Sequence, residues 1–179
     1  IERQPSYRGA HNNLGKVLVQ LGDGEQAEQA FRQELTLYPS SLEALTNLGR
    51  YLAEQGQLEQ ARELLVRAFE IDRRQVVLAS ELGRLALSQN DWSEAENWYQ
   101  NAWQLCQQVA WGHPCRSDVP FQLARIAGRK RDKEGAVQYL LKALEGGFAD
   151  LGRLRAEGEL RPALGDSRII QALSRSGTP

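Results

Sequence analysis

The sequence predicts an all-α chain, a solenoid of antiparallel helix pairs closed by a helical C-terminal cap. Two observations predict it. Gly15, Gly49 and Gly83 recur at one constant spacing, and Ala27, Ala61 and Ala95 keep the same spacing. A fixed period in this range marks stacked supersecondary units. Around these anchors apolar residues return four apart, as Leu14 with Leu18 and Ala27 with Phe31, which places them on one helix face. A fourth copy follows at Ala124 and Ala136, after a gap of 41 in place of 34.

The elements follow in order. Pro5 lies one such period before Pro39, where the closing proline of a preceding repeat would fall. Residues 1–7 therefore read as the end of a truncated upstream repeat, with Ile1–Gln4 in its last helix. Four repeats fill 8–145, as 8–41, 42–75, 76–109 and 117–147, with a loop insertion over 110–116. In the first repeat, helix 1A runs from about Tyr7 to Leu21. Gly22-Asp23-Gly24 breaks it, because glycine admits the left-handed backbone that ends helices. Helix 1B follows to about Leu37, and Pro39 turns the chain. A small alanine lets the paired helix approach while an aromatic fills the space beside it, which is why small and large residues recur together.

Repeat 2 copies this plan, with Ser41 as N-cap and Gly56 between its helices. Its second helix ends near Ile71, and Arg73 stands where a proline would close it. Repeat 3 turns at Asn90-Asp91. Its second helix carries Trp92, Trp98, Tyr99 and Trp103 and is expected to run to about Val109. Glycine and proline in Trp111–Ser117 force a loop, and Ser117 or Asp118 is expected to cap helix 4A. Gly146-Gly147 closes repeat 4. Residues 148–175 do not repeat. Leu151, Leu154, Leu160, Leu164, Ile169, Ile170 and Leu173 are expected to cover the apolar flank of repeat 4, as a solenoid end requires. Residues 176–179 read as a tail.

Asn13-Leu14-Gly15, Leu18, Ala27, Phe31 and Pro39 resemble a tetratricopeptide repeat. So do Leu48-Gly49, Leu52, Ala61, Leu65 and Ala68, and again Leu82-Gly83, Ala95, Tyr99 and Ala102. Leu123-Ala124, Ala136, Leu140 and Ala143 form a looser fourth copy, with alanine in place of the glycine. The resemblance covers roughly Arg8–Glu145. It implies a right-handed superhelix whose first helices line a concave groove and whose usual business is holding other proteins. GGF…L…EGELRPALGDSRI also resembles the closing segment of many such proteins.

Composition narrows the function. The formal net charge is −1, so no global pull towards nucleic acid or anionic membrane exists. No apolar run approaches the ~20 residues of a membrane-spanning helix. Gly and Pro contents of 16 and 6 in 179 residues do not indicate disorder. The compartment is not legible, since two cysteines fit any.

Within the first helices, the core pair lies one before and three after each anchor. The pair two before and one after points ~150° away. Down the repeats this outward pair gives two columns: Asn13, Asn47, Glu81 and Gln122, and Lys16, Arg50, Arg84 and Arg125. On the concave wall that the resemblance implies, the first column would hydrogen-bond the backbone of an extended peptide. The second would hold its carboxylates, arginine through a two-pronged fork. Val19, Leu87 and Phe121 are the candidate selectivity pockets. Formal charge sums to +3 over the first helices and −5 over the second, so the inner wall reads as basic. Solvated helix faces carry the same residue types, and that plain reading stands beside the functional one.

The dicarboxylate clamp of some family members does not match. Asn12 stands where it needs lysine, Lys16 where it needs asparagine, and Val77 and Glu81 where it needs cations. The amide column is closer to the asparagine ladder of the O-GlcNAc transferase superhelix, through Asn13 and Asn47. Cys106, His113 and Cys115 lack a fourth ligand and a zinc spacing, so no metal is expected. The cysteines read as ordinary thiols, with a disulfide between them as the alternative. The repeat-3 aromatics read as core and loop anchors. Gly9…Gly15-Lys16 has the wrong spacing for a phosphate loop. No nucleophile and base stand out, so no catalysis and no cofactor are expected. The leading reading is a non-catalytic module that binds an extended acidic peptide. The alternatives are self-association, packing on the rest of a larger chain, or a regulatory domain of a larger enzyme.

Overall fold

A computed structural model of the chain describes residues 7–110 and 112–175. The expected upstream helix end at Ile1–Gln4, Pro5, Trp111 and the tail 176–179 lie outside the described residues. Among the described residues all regular structure is helical. The helices are α1 (Ala10–Leu21), α2 (Gly24–Leu37), α3 (Leu42–Glu54), α4 (Leu58–Ile71), α5 (Val76–Ser88), α6 (Trp92–Cys106), α7 (Cys115–Arg129) and α8 (Lys133–Glu145). The C-terminal segment adds α9 (Leu151–Ala156), a 3₁₀ turn (Gly158–Leu160), α10 (Arg161–Leu164) and α11 (Ser167–Arg175). Two compact units divide the chain, residues 1–85 and 86–179, with the boundary inside α5.

In the first unit α1 pairs with α2 and α3 with α4, and α2 packs on α3. The periodic glycines are contact points. A Cβ on Gly15 would fall 2.6 Å from the Phe31 ring, and one on Gly49 2.9 Å from Leu65. Asp23 and Ser41 accept hydrogen bonds from the first turns of α2 and α3. Leu48 and Leu52 of α3 are buried, as the spacing predicts. The equivalent pair of α1 departs from it. Leu14 is 49% exposed and Leu18 half-buried, while Asn12 and Gly15 are the buried residues. The reason is position: α3 is flanked by α2 as well as α4, whereas among the described residues no helix precedes α1.

The second unit holds α6, α7, α8 and the C-terminal segment. Helix α6 stops at Cys106, short of Val109, and α7 starts at Cys115, ahead of Ser117. Both shifts have one cause. Cys106 and Cys115 are joined in a disulfide with Cα atoms 5.9 Å apart, which pins the two helix ends together. The expectation of ordinary thiols is thereby corrected. Ser117 Oγ donates to the Pro114 carbonyl and does not cap the helix. Pro120 lies within α7. Lacking an N–H, it leaves the Arg116 carbonyl without its helical donor. Gly146 fills the space over that carbonyl, where a Cβ would come within 2.0 Å. Leu154, Leu160, Ala163 and Ile169 bury against Val137 and Leu140 of α8, with Leu151, Leu164 and Leu173 at their margin. Ile170, expected among them, is turned outward.

Candidate functional site

The outward columns fall differently in the two units. In the first, α1 carries Asn13 and Lys16, α3 carries Asn47 and Arg50, and α5 carries Glu81 and Arg84. Asn13, Lys16, Asn47 and Arg50 share an open cleft of about 450 Å³, with Asn12, Thr46, Gln75, Val77 and Leu78 also in its wall. The constant repeat period explains the convergence, since each first helix presents the same angular position. Asn47 Nδ2 donates to Asn12 Oδ1 at 2.8 Å, linking α1 to α3. The predicted columns do not contain Asn12. It is buried, and its offset of 35 from Asn47 places it one position away from the column.

The cation column is not a row of free charges. Glu81 stands within 3.1 Å of Arg50 Nε and accepts from Arg84 Nε and Nη2 at 2.9 and 2.6 Å. One carboxylate thus joins two arginines of successive repeats. Lys16 is exposed and has no ion pair or hydrogen bond among the described residues. Of the proposed selectivity pockets in α1 and α5, Val19 is exposed and Leu87 half-buried. Neither belongs to the cleft, where Val77 supplies the exposed apolar surface.

In the second unit Gln122 and Arg125 lie on α7. Arg125 Nη1 donates to Gln122 Oε1 at 3.0 Å, and its Nε lies 2.9 Å from Glu157 and 3.3 Å from Glu159. Both glutamates come from the C-terminal segment, so the chain itself neutralises this cation. Phe121 is no pocket. It is fully buried, stacked on Phe148 at 4.3 Å, with the Arg153 guanidinium 4.7 Å from its ring centre. The segment reaches α7 because Gly128 has no side chain, for a Cβ there would meet the Glu159 carbonyl at 2.5 Å. Nothing in the repeat period signals this contact, since residues 148–175 lie outside it.

The half-buried aromatics of α6 are engaged within their own unit. Arg129 sits 5.2 Å from the Trp92 ring centre, and Trp98 Nε1 donates to Glu94. The disulfide takes both thiols that a metal site would have used, and His113 Nδ1 accepts from the Cys115 N–H. Chemically, the cleft combines amides, two cations, the Glu43 carboxylate and an apolar floor.

Two family models, each described as Tetratricopeptide repeat, match residues 6–74 and 52–104, which together exceed half the chain. No curated protein sequence matches. Among solved structures, one titled Crystal structure of MamA has a TM-score of 0.70 at 20% identity, covering 85% of this chain and 83% of that one. A structure titled for Pseudomonas aeruginosa pilF gives 0.72 at 23% identity over 96% and 77%. MamA from Desulfovibrio magneticus RS-1, residues 41 to end, gives 0.65 at 20% over 82% and 76%. At these identities the likeness establishes the fold alone.

Proposed function

Because this chain belongs to the tetratricopeptide repeat family, and is a helical protein-interaction module of that kind, we propose that it binds an extended, acidic peptide segment without catalysis. The observation that carries the reading is the cleft of about 450 Å³ walled by Asn13, Lys16, Asn47 and Arg50. Asparagine side chains offer a donor and an acceptor each, which matches the alternating groups of an extended backbone. Lys16 and Arg50 add affinity for acidic side chains. Glu81 and Arg84 extend the surface along α5. On α7, Gln122 and Arg125 act through the C-terminal segment that already engages them. The module works without cofactor or metal, binds no nucleic acid and does not insert into a membrane.

The test is an array of extended peptides of graded acidity, probed with the parent, Asn47→Ala and an Arg50→Glu/Arg84→Glu double variant of equal melting temperature. Acidic sequences captured by the parent and lost from both variants support the reading. Equal capture by all three sinks it.

A second reading has its own observation. Leu14, Val17 and Leu21 of α1 are 49%, 50% and 74% exposed along one stripe. Self-association, or packing on the rest of a larger chain, would cover it. Sedimentation velocity of the parent against Leu14→Asp/Leu21→Asp separates this reading from the first, since the stripe residues do not wall the cleft.

A further inference from the structure

We infer that α1 pairs with α1 of a second copy of this chain across a two-fold axis, through a seam of Ala10, Leu14, Val17 and Leu21. This rests on the self-association reading and not on the peptide-binding one. It adds the occupant of the stripe and the symmetry of the contact.

The seam runs the length of the helix. Its residues stand four, three and four apart, from the first position of α1 to the last, and all are exposed. Tyr7, 83% exposed, stands three residues ahead in the same rhythm. Alternation of three and four is the spacing that interlocks one helix with another. At ~100° per residue the seam lies roughly 160° from buried Asn12 and Gly15. Helix α1 therefore packs on α2 with one face and carries the seam on the other. Repeat 2 shows what that second face does. Leu48 and Tyr51 of α3 stand one repeat after Leu14 and Val17, and they are buried and half-buried where α2 packs on α3.

Three observations assign the seam to a second copy. Residues 1–6 are too few to cover it as a helix, since they would run ~9 Å against the ~18 Å of α1. The seam is uncharged, and so are Asn13, Leu18 and Gln20 at its flanks. Lys16 points ~130° away and His11 ~90°. A charged partner would find nothing to pair with, whereas a second copy brings the same neutral surface, and a chain net charge of −1 repels it little. Lastly, among the described residues α1 is the match for itself. The outer faces of α2, α6 and α8 are taken by α3, by α7, and by α10 with α11. The other exposed large apolar residues off α1, Leu37, Ile71, Val77 and Ile170, lie singly on four different helices. A surface whose counterpart is itself makes an isologous, closed pair.

Sedimentation velocity over a dilution series should show the parent in a monomer–dimer equilibrium with a midpoint of roughly 10–100 μM, as suits the contact of one helix seam. Leu14→Asp/Leu21→Asp should weaken it by more than about tenfold, and Ile71→Asp should leave it unchanged. These sites are exposed, so both variants should melt with the dilute parent. Val17→Cys, at the middle of the seam, should give a covalent dimer with a short bis-maleimide, and Lys16→Cys should not. Cys106 and Cys115 are joined to each other and stay silent. A dimer that survives the double aspartate, or that cross-links equally through Lys16→Cys, overturns the seam. A monomeric parent overturns the pairing, and one more chain then tests the reading beneath it. That chain carries residues 24–41 in place of 1–7, which sets the α2 sequence ahead of α1 in repeat register. Melting about 4 °C or more above the parent would assign the stripe to packing on a larger chain. Unchanged melting would sink that reading together with the pairing.

Discussion

Glu34, in the last turn of α2, closes the N-terminus of α1: its Oε1 accepts a hydrogen bond from the Gly9 backbone N–H at 2.7 Å. Its Oε2 accepts from the N–H groups of His11 and Asn12 at 3.2 and 3.3 Å. Helix α1 has no capping side chain of its own, because Gly9 stands at that place with a left-handed φ of 88°. A first turn presents N–H groups that no helical carbonyl satisfies, together with the positive end of the helix dipole. The fully buried carboxylate answers both.

Glu34 occupies a place where the repeat period puts buried alanine, as Ala68 and Ala102 show. Glu34→Ala therefore fits the packing of the sibling repeats and still removes three acceptor contacts. It should cost about 2–3 kcal/mol in urea unfolding. Glu34→Gln keeps one accepting oxygen and should cost less. A loss under about 0.5 kcal/mol for the alanine variant would mean that water replaces the cap without penalty.

Gly128→Ala offers a test of the contact between α7 and the C-terminal segment. On an exposed helix this change is worth about 1 kcal/mol of added stability. Here the new Cβ would meet the Glu159 carbonyl at 2.5 Å, and backbone has little room to yield. The variant should instead lose about 1–3 kcal/mol. The backbone amides of residues 157–160, whose glutamates hold Arg125, should exchange faster with deuterium. A stabilised variant would show that the segment is not seated on α7.

How much of this was legible depends on where each contact lies in the chain. Gly15 against Phe31, Gly49 against Leu65 and the turn at Gly22 repeat with the helix pair, so their meaning can be read without coordinates. The column Asn13, Lys16, Asn47 and Arg50 converges for the same reason. The pairing of those cations is hidden. Glu81 reads as one more polar residue of the amide column, and only its reach to both Arg50 and Arg84 shows that it pairs with them. Glu34, Phe121 with Phe148, and Arg125 with Glu157 depend on contacts between non-repeating positions, which no period encodes. Leu14 departs from expectation because periodicity describes a helix inside the stack, and α1 lacks the flanking helix that α3 has.

The disulfide ties α6 to α7 across a separation of nine residues. Cross-linking a loop of that size restricts the unfolded chain by about 2–3 kcal/mol in the chain-entropy model. Cys106→Ala/Cys115→Ala should lose about that much, and reductant should lower the melting temperature of the parent without affecting the variant. The buried Cys106 sulfur slows the reaction, so the shift should develop over the incubation. A parent indifferent to reductant after complete thiol labelling would remove the bond from the stability of this unit.

Acid should loosen α11 through one arginine. Arg168 donates from Nη1 and Nη2 to the two oxygens of Glu134 at 2.9 and 2.7 Å, and from its backbone N–H and Nε to Asp166 at 3.0 Å each. The hydrogen bonds from Arg168 hold the Glu134 carboxyl down to about 2 from an ordinary 4.5, and the Asp166 carboxyl down to about 2 from 3.8. A carboxylate whose folded value is depressed stabilises the fold above its unfolded value and loses that contribution as pH falls to the folded one. The contribution should be whole near neutral pH, decline below about 4.5 and be gone near 2. Glu134 is solvent-exposed and Asp166 half-buried at the surface, so salt should screen the Glu134 pair most. Thermal melts of the parent and Arg168→Ala should therefore differ near neutral pH and converge on acidification through this window. Added salt should narrow the gap at neutral pH. A gap that persists unchanged near pH 2 would assign the arginine's role to the packing of its aliphatic stem against α8, since a contact of that kind carries no proton linkage.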